Sequence, residues 1–238
     1  MSEKEEMITQ VDPATKYHEH YRSRESRIFL QLPLAEQTTL QNIVELLASQ
    51  MEVPVAHLTL LEGELQHIIH QVGTQLVQMP RATSFCTHTI KSAGTMVVPD
   101  AAADPLFAQA PVVAGPPFVR FYAGRSIVTQ EGFAIGTLCV YDVVPRQLST
   151  RDQALLNGLS KQVEASLSLL QEQQIMRQLL ANAAEQEEDW RQQCAKDQSV
   201  VQEMLAAINP DKMGDWPVHS KQLTLHWTAQ LKRLGRQR

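Results

Sequence analysis

Val55-Ala56-His57-Leu58-Thr59-Leu60-Leu61-Glu62-Gly63-Glu64-Leu65-Gln66-His67-Ile68-Ile69-His70-Gln71-Val72 is the stretch on which the fold turns. It holds two runs rich in apolar and β-branched residues around a glycine-centred turn, so residues 55–61 and 65–72 read as a β-hairpin closed by Glu62-Gly63-Glu64. Just upstream the period is different. Leu40, Ile43, Val44 and Leu47 follow i, i+3, i+4, i+7, which predicts a helix from about Glu36 with one apolar face. Met51-Glu52-Val53-Pro54 ends it, because a residue before proline is pushed out of the helical region.

Downstream the spacing predicts a short helix over Ser84–Ser92, stopped at Gly94, and a brief strand Thr95-Met96-Val97-Val98. Asp100 to Pro117 is a loop with four prolines, long for a simple connection. Two further strands follow, Val119–Val128 and Phe133–Tyr141, around Thr129-Gln130-Glu131-Gly132. Side chains alternate along a strand, so Phe133, Ile135, Thr137, Cys139 and Tyr141 share one face, and Ala134, Gly136, Leu138 and Val140 the other. Small Ala134 and Gly136 suit close helix packing, which turns Thr137, Cys139 and Tyr141 toward a pocket. Arg120 and Tyr122 share a face of their strand, with Phe121 and Ala123 opposite, so the sheet is expected to be covered on both sides. His67 and His70, three residues apart, are expected on opposite faces and unable to chelate together.

From Asp152 to Ile208 the chain has no proline and one glycine, Gly158. As a single helix of 57 residues it would run about 85 Å, too long for one compact domain. Leu156, Leu159, Val163, Leu167 and Leu170 form a first stripe. Met176, Leu180, Ala183, Glu187, Trp190, Cys194, Asp197, Val201, Met204 and Ile208 alternate steps of 4 and 3 as a coiled-coil seam. The stripe restarts out of phase between Leu170 and Met176, which implies a local change of winding. This 152–208 helix is expected to pair with a second copy as a homodimer.

Composition removes several classes of function. The 238 residues are 43% hydrophobic, enough for a core, and no apolar run approaches a membrane span. The start, Met1-Ser2-Glu3-Lys4-Glu5-Glu6, lacks a secretory pattern, and Cys86, Cys139 and Cys194 are too scattered for a disulfide framework or zinc site. A cytoplasmic protein is expected. Net charge is −5, which argues against nucleic acid as a partner. The charge is split: residues 1–209 carry 15 basic and 24 acidic groups, and residues 210–238 carry 6 basic and 2 acidic. Leu223, Trp227, Leu231 and Leu234 with Lys221, Lys232, Arg233, Arg236 and Arg238 predict a basic amphipathic helix in the 209–238 tail, suited to an acidic partner or, as a lesser expectation, to a membrane surface.

The segments Ser84-Phe85-Cys86-Thr87-His88-Thr89-Ile90, Val97-Val98-Pro99-Asp100, Asp104-Pro105-Leu106-Phe107, Gly115–Gly124 and Ile135-Gly136-Thr137-Leu138-Cys139-Val140-Tyr141-Asp142, in this order, resemble the GAF domain of bacterial sensor histidine kinases and diguanylate cyclases. The resemblance covers about residues 26–172. It implies an α/β fold of the α+β kind: an antiparallel sheet with helices on one side, a small-molecule pocket on the other, and the long helix extending as a coiled coil. The expected plan is a polar N-terminal arm over 1–25, read as a short helix or a loose arm, the GAF domain over 26–172, the dimerisation helix over 152–208 and the basic tail over 209–238. No recognisable kinase, cyclase or DNA-binding segment follows, so the expected partner is a separate output protein of the histidine kinase or cyclase class. The family's Asn-Lys-Xaa-Asp-Glu-like cyclic-nucleotide motif is not visible.

The pocket candidates are Cys86, His88, Asp100, Phe107, Arg120, Tyr122, Thr137, Cys139 and Tyr141, around an unknown small molecule and with no cofactor identified. Bilin-binding relatives tether a chromophore to a pocket cysteine followed directly by histidine, whereas Thr87 intervenes here. Other relatives reduce free methionine sulfoxide with pocket cysteines, but no lysine or arginine lies within three residues of Cys139 to lower its pKa. Cys86 and His88, two apart on a helix, point about 200° away from each other and make no metal site. Asp104 is read as a turn cap before Pro105, and Arg120 as a partner of Asp100 or of a ligand. No Ser/His/Asp arrangement, phosphate-cradling glycine loop or carboxylate pair occurs. The sequence therefore predicts a sensor rather than an enzyme, or alternatively an assembly module with no ligand.

Overall fold

The computed structural model describes residues 13–34, 37–92, 94–207 and, in the tail, 222, 225–227 and 229. Helices α1 (Pro13–Leu30) and α2 (Thr38–Met51) precede the hairpin strands β1 (Val55–Glu62) and β2 (Leu65–Val72). Then come β3 (Gln78–Pro80), a 3-10 turn at Arg81–Thr83, α3 (Phe85–Thr89), β4 (Thr95–Val98) and α4 (Pro111–Ala114). Strands β5 (Phe121–Val128) and β6 (Ala134–Asp142) lead into α5 (Thr150–Ala207). The six strands form one sheet in the order β3-β2-β1-β6-β5-β4, with every neighbouring pair antiparallel.

The local signals act as expected for α2, where Leu40, Ile43, Val44 and Leu47 are buried. The helix closes with Glu52 in the left-handed region, so that Val53 N–H reaches Ala48 O and Glu52 N–H reaches Ser49 O. Together with the first turns of α5 (Leu156, Val163, Leu167), α2 packs on Leu58, Leu60, Phe121, Leu138 and Val140 to make the larger core. The opposite sheet face carries a second core of Leu61, Phe85, Cys86, Phe107, Tyr122 and Cys139. The sheet is covered on both sides, as the apolar residues on both faces of β5 require.

Four expectations are corrected. The polar arm over 1–25 does not stay an arm, because α1 packs on the sheet. Arg22 is buried and donates to Leu61 O at 2.7 Å, and Ser26 Oγ donates to Ile135 O at 3.0 Å. Residues 1–12 lie outside the described residues. Ile135 does not share the face of Thr137: the β5–β6 register slips between Ile127 and Val128, and Ile135 joins the helix-side core. Gly136 is small for the sake of β1 rather than a helix, since a Cβ there would stand 1.9 Å from Thr59 O. His67 and His70 do not oppose each other. A bulge at Leu58/Thr59 pairs them with Leu60 and Leu58, two residues of the helix-side core, and so brings both to that side.

The chain forms two units, residues 1–174 and 175–238, and the continuous helix α5 contributes to both. In the first unit Leu156, Val163 and Leu167 of α5 are buried, with Leu159 and Leu170 packed at the core's edge. From Glu172 to Gln193 every residue is exposed. This switch in burial falls within Leu170–Met176, where the apolar stripe of the sequence restarts. In the tail, Leu225 and Trp227 are exposed and helical. Leu223, Leu231, Leu234 and the basic residues around them lie outside the described residues. No helix among the described residues is long and apolar enough to cross a membrane.

Candidate functional site

The second core is where chemistry-bearing side chains meet. Ser84 caps α3 by accepting the Cys86 N–H at 3.0 Å, and its hydroxyl donates to the Gln66 side chain. This capped turn fixes Phe85 and Cys86 over the sheet. Phe85 stacks on Phe107 and Tyr122 with ring centroids 4.3 and 4.9 Å away, and meets Tyr141 edge-on at 6.0 Å. Tyr122 lies flat along β5 because residue 124 is glycine; a Cβ on Gly124 would stand 2.1 Å from the Tyr122 Oη. That hydroxyl pairs with Thr89 Oγ1 at 2.6 Å.

Cys86 is wholly buried in a ring of polar hydrogens. Thr137 Oγ1 donates to its sulfur at 3.0 Å, Tyr141 Oη lies at 3.6 Å, and Cys139 Sγ at 3.8 Å. Thr137 in turn pairs with Thr59 Oγ1 at 3.0 Å. Burial by itself pushes the Cys86 thiol up, but hydrogen bonds from Cys139, Thr137, Tyr141 and Ser84 outweigh it and hold the thiol below its ordinary range. Burial and the bond given to Cys86 push Cys139 well up, and burial next to the sulfurs does the same to Tyr122 and Tyr141. Of the two sulfurs, Cys86 has the shorter hydroxyl contact, from Thr137 at 3.0 Å against 3.6 Å for Cys139, and this favours its thiolate.

Beside this cluster lies a cavity of about 80 Å³, with His57, Phe85, Val112, Pro117, Val119 and Tyr141 among its lining residues. Its walls are almost entirely apolar. His57 is buried and pairs through Nε2 with Thr74 Oγ1 at 2.9 Å, while its Nδ1 has no partner. Burial pushes its pKa down to about 4, so the ring is neutral at pH 7. The cavity holds only a few heavy atoms, since one water takes about 30 Å³ and a drug-sized pocket begins near 300 Å³. The aromatic stack fills the rest. A wider groove of about 320 Å³ opens on the helix side between the β5–β6 turn and α5, among Gln130, Lys161, Glu164 and Ser168. Its only aromatic lining residue is Phe29, and none of the thiols or of the residues stacked around Phe85 line it, so the smaller cavity is the site candidate.

Of the nine candidates from the sequence, Cys86, Tyr122, Thr137, Cys139 and Tyr141 converge, and Phe107 joins them through Phe85. His88 sits at the margin, half-buried, edge-on to Phe107 at 5.1 Å, with burial lowering its pKa and Lys91 adding to the effect. Asp100 and Asp104 serve their own loop, accepting from Ala102 N–H at 3.1 Å and Leu106 N–H at 2.8 Å. Arg120 does not pair with Asp100: its guanidinium donates to Val113 O and Val119 O, both at 3.0 Å, and so ties the α4 turn to β5. His57, Thr59, Ser84 and Phe85 belong to the site and were missed. Ser84 directly before the α3 helix was a readable cap signal, and Thr59 lies in a strand whose alternation matches that of Thr137. Among the described residues no group of three or more His, Cys, Asp or Glu side chains could hold a metal.

The chain is thus a six-stranded antiparallel sheet with α2 and α5 on one face and, on the other, a buried cluster of aromatic and thiol side chains beside a small apolar cavity. The family model for the GAF domain matches residues 35–167, more than half of the chain, and the chain belongs to that family. GAF domains are a signalling and sensory family. The chain is 37% identical over 158 residues to a cyclic di-GMP phosphodiesterase of Pseudomonas aeruginosa, a match covering 65% of this chain and 27% of that protein. The chain therefore spans about a quarter of that relative's length. Among solved structures, the GAF domain of a phosphoenolpyruvate-protein phosphotransferase from Coxiella burnetii is similar in fold, with a TM-score of 0.51 and 12% identity, over 67% of this chain and 98% of that one. A domain of a two-component sensor histidine kinase from Sinorhizobium meliloti aligns with a TM-score of 0.48 and 11% identity, over 60% of this chain and 97% of that one.

Proposed function

We propose that this chain is a non-enzymatic sensory module that takes a very small ligand beside His57, Phe85 and Tyr141 and relays the change through α5 of a homodimer to an output protein. The observation that carries the reading is α5. Its first turns bury Leu156, Val163 and Leu167 against the sheet, whereas Leu169, Ile175, Met176, Leu179 and Leu180 are each more than half exposed. Large apolar side chains clustered in this way mark a contact surface, and the 4 and 3 spacing from Met176 onward suits the same helix of a second copy. A shift of the sheet would change the phase of the paired helices where the two stripes meet, between Leu170 and Met176. The output partner is of the histidine kinase class or of the class that makes or breaks cyclic dinucleotides. The matched relative carries its related segment within a longer chain that is named for the latter chemistry.

The double substitution Met176→Glu, Leu180→Glu tests the relay surface by light scattering on the full chain. The expected result is a monomer from a wild-type dimer; a dimer of unchanged mass sinks the helical pairing. A second reading, assembly without a ligand, is favoured by the cavity's small volume and its filling by Phe85, Tyr122 and Tyr141. Native mass spectrometry separates the two. A retained small molecule supports sensing, and a bare protein chain supports assembly.

A further inference from the structure

Cys86 and Cys139 are more than packing residues. A cysteine that merely fills a core needs no polar neighbour, yet the Cys86 sulfur meets the hydroxyls of Thr137 at 3.0 Å, Tyr141 at 3.6 Å and Tyr122 at 3.8 Å. The Cys139 sulfur meets Thr137 Oγ1 at 3.6 Å and Tyr141 Oη at 3.7 Å. The two sulfurs lie 3.8 Å apart, in contact but not bonded. This is roughly 2 Å longer than an S–S bond. Donors crowded on one sulfur favour its thiolate, and the other sulfur keeps its proton. The pair is therefore chemically unequal, with one nucleophile and one thiol held in reserve. Tyr141, whose Oη lies 3.6 Å from the Cys86 sulfur and 3.7 Å from that of Cys139, also lines the 80 Å³ cavity, which has room for a molecule the size of two waters.

We infer that Cys86 and Cys139 form a disulfide within the chain when the protein meets hydrogen peroxide, with Cys86 as the attacking sulfur and Cys139 as the resolving one. The Cys86 thiolate attacks a peroxide oxygen, the O–O bond breaks, and the departing hydroxide takes up a proton to become water, leaving Cys86 as a sulfenic acid. Cys139 gives up its proton and its sulfur attacks Cys86 Sγ. The S–O bond breaks and the second hydroxide leaves as water with that proton. Two thiols lose two electrons and two protons, and one peroxide becomes two waters. The bond ties α3 to β6 and draws in Phe85, the wall of the cavity, whether or not a ligand is there. Cys194 belongs to the other unit, in the part of α5 that follows Gln174.

The test uses the full chain carrying Cys194→Ser, treated with hydrogen peroxide, quenched in acid and unfolded in an alkylating agent. The expected outcome is a mass lower by about 2 Da with neither remaining thiol alkylated, reversed by a thiol reductant. Two alkylated cysteines, or Cys86 heavier by about 32 Da as a sulfinic acid beside a free Cys139, would overturn the inference. Thr137→Val gives a second measurement on folded protein, checked by circular dichroism. It removes the donor to Cys86, so disulfide formation should slow about tenfold and its pH midpoint should rise. An unchanged rate and pH profile would overturn the assignment of Cys86 as the attacking sulfur.

Discussion

The two faces of the sheet are built from the same strands and do different things. On β6, Leu138 and Val140 turn to the helices, while Thr137, Cys139 and Tyr141 turn the other way. On β1, Leu58 and Leu60 face the helices, and His57 and Thr59 face the thiols. The helix-side core is mostly aliphatic, with Phe29 and Phe121 among its members, and depends on volume and area. The opposite core is aromatic, with hydroxyls and sulfurs satisfied by one another, and depends on geometry. Alternation with a period of two is what lets neighbouring residues in one strand serve packing and chemistry separately.

The largest expected effect sets neighbours on the two faces against each other. Leu138→Ala leaves a cavity in the aliphatic core and should cost about 2–5 kcal/mol, whereas Cys139→Ala should cost roughly 1 kcal/mol, the loss of one small buried group. Equal losses in urea denaturation would break the distinction. Next is Gly124→Ala, which pushes a methyl into the Tyr122 hydroxyl and should destabilise by about 1–3 kcal/mol. Adding Tyr122→Phe removes the clashing oxygen, so the double variant should recover part of the loss; strict additivity would refute the contact.

A smaller effect concerns the tie between α1 and the turn before α3. Glu19 bonds both Arg22 and Arg81, and Arg81 also donates to Gly63 O at 3.1 Å. Burial would raise the Glu19 pKa, but the hydrogen bonds from Arg22 and Arg81 lower it to about 2 from 4.5. Its contribution is present in full above pH 4.5 and fades as pH falls toward 2. The Glu19 side chain is 42% exposed, so solvent screening leaves Glu19→Gln costing about 1 kcal/mol at neutral pH. A stability difference that persists unchanged at pH 2 would remove the ion pair from the account.

The mildest test reads the thiol side by pH. His57 is held neutral by burial, with a pKa near 4 against 6.5 when free, so the unfolded chain binds the extra proton between those values. The stability that neutral His57 supports is whole above pH 6.5 and declines as pH falls to about 4. His57→Phe should reduce the slope of that part of the stability curve, to which His70 and His88, also lowered by burial, contribute the remainder, without altering the Glu19 part below it. A curve that keeps its slope between pH 6.5 and 4 would place the titration elsewhere.

The sequence by itself determined the elements and most of their facing. Periods of 3.6 and 2 are local properties, so the α2 stripe, the hairpin, the shared face of Thr137, Cys139 and Tyr141, and the unbroken α5 were all legible. Tertiary structure decided the rest. A one-residue slip between β5 and β6 sent Ile135 to the helices, and a bulge in the hairpin brought His67 and His70 to one side. A helix that is polar over most of its length was docked through Arg22, Ser26 and Phe29. Cys86 and Cys139, 53 residues apart, came into contact. None of these is written in a window of sequence, because each depends on which backbone groups remain unpaired, and how closely two strands approach, once the sheet has formed.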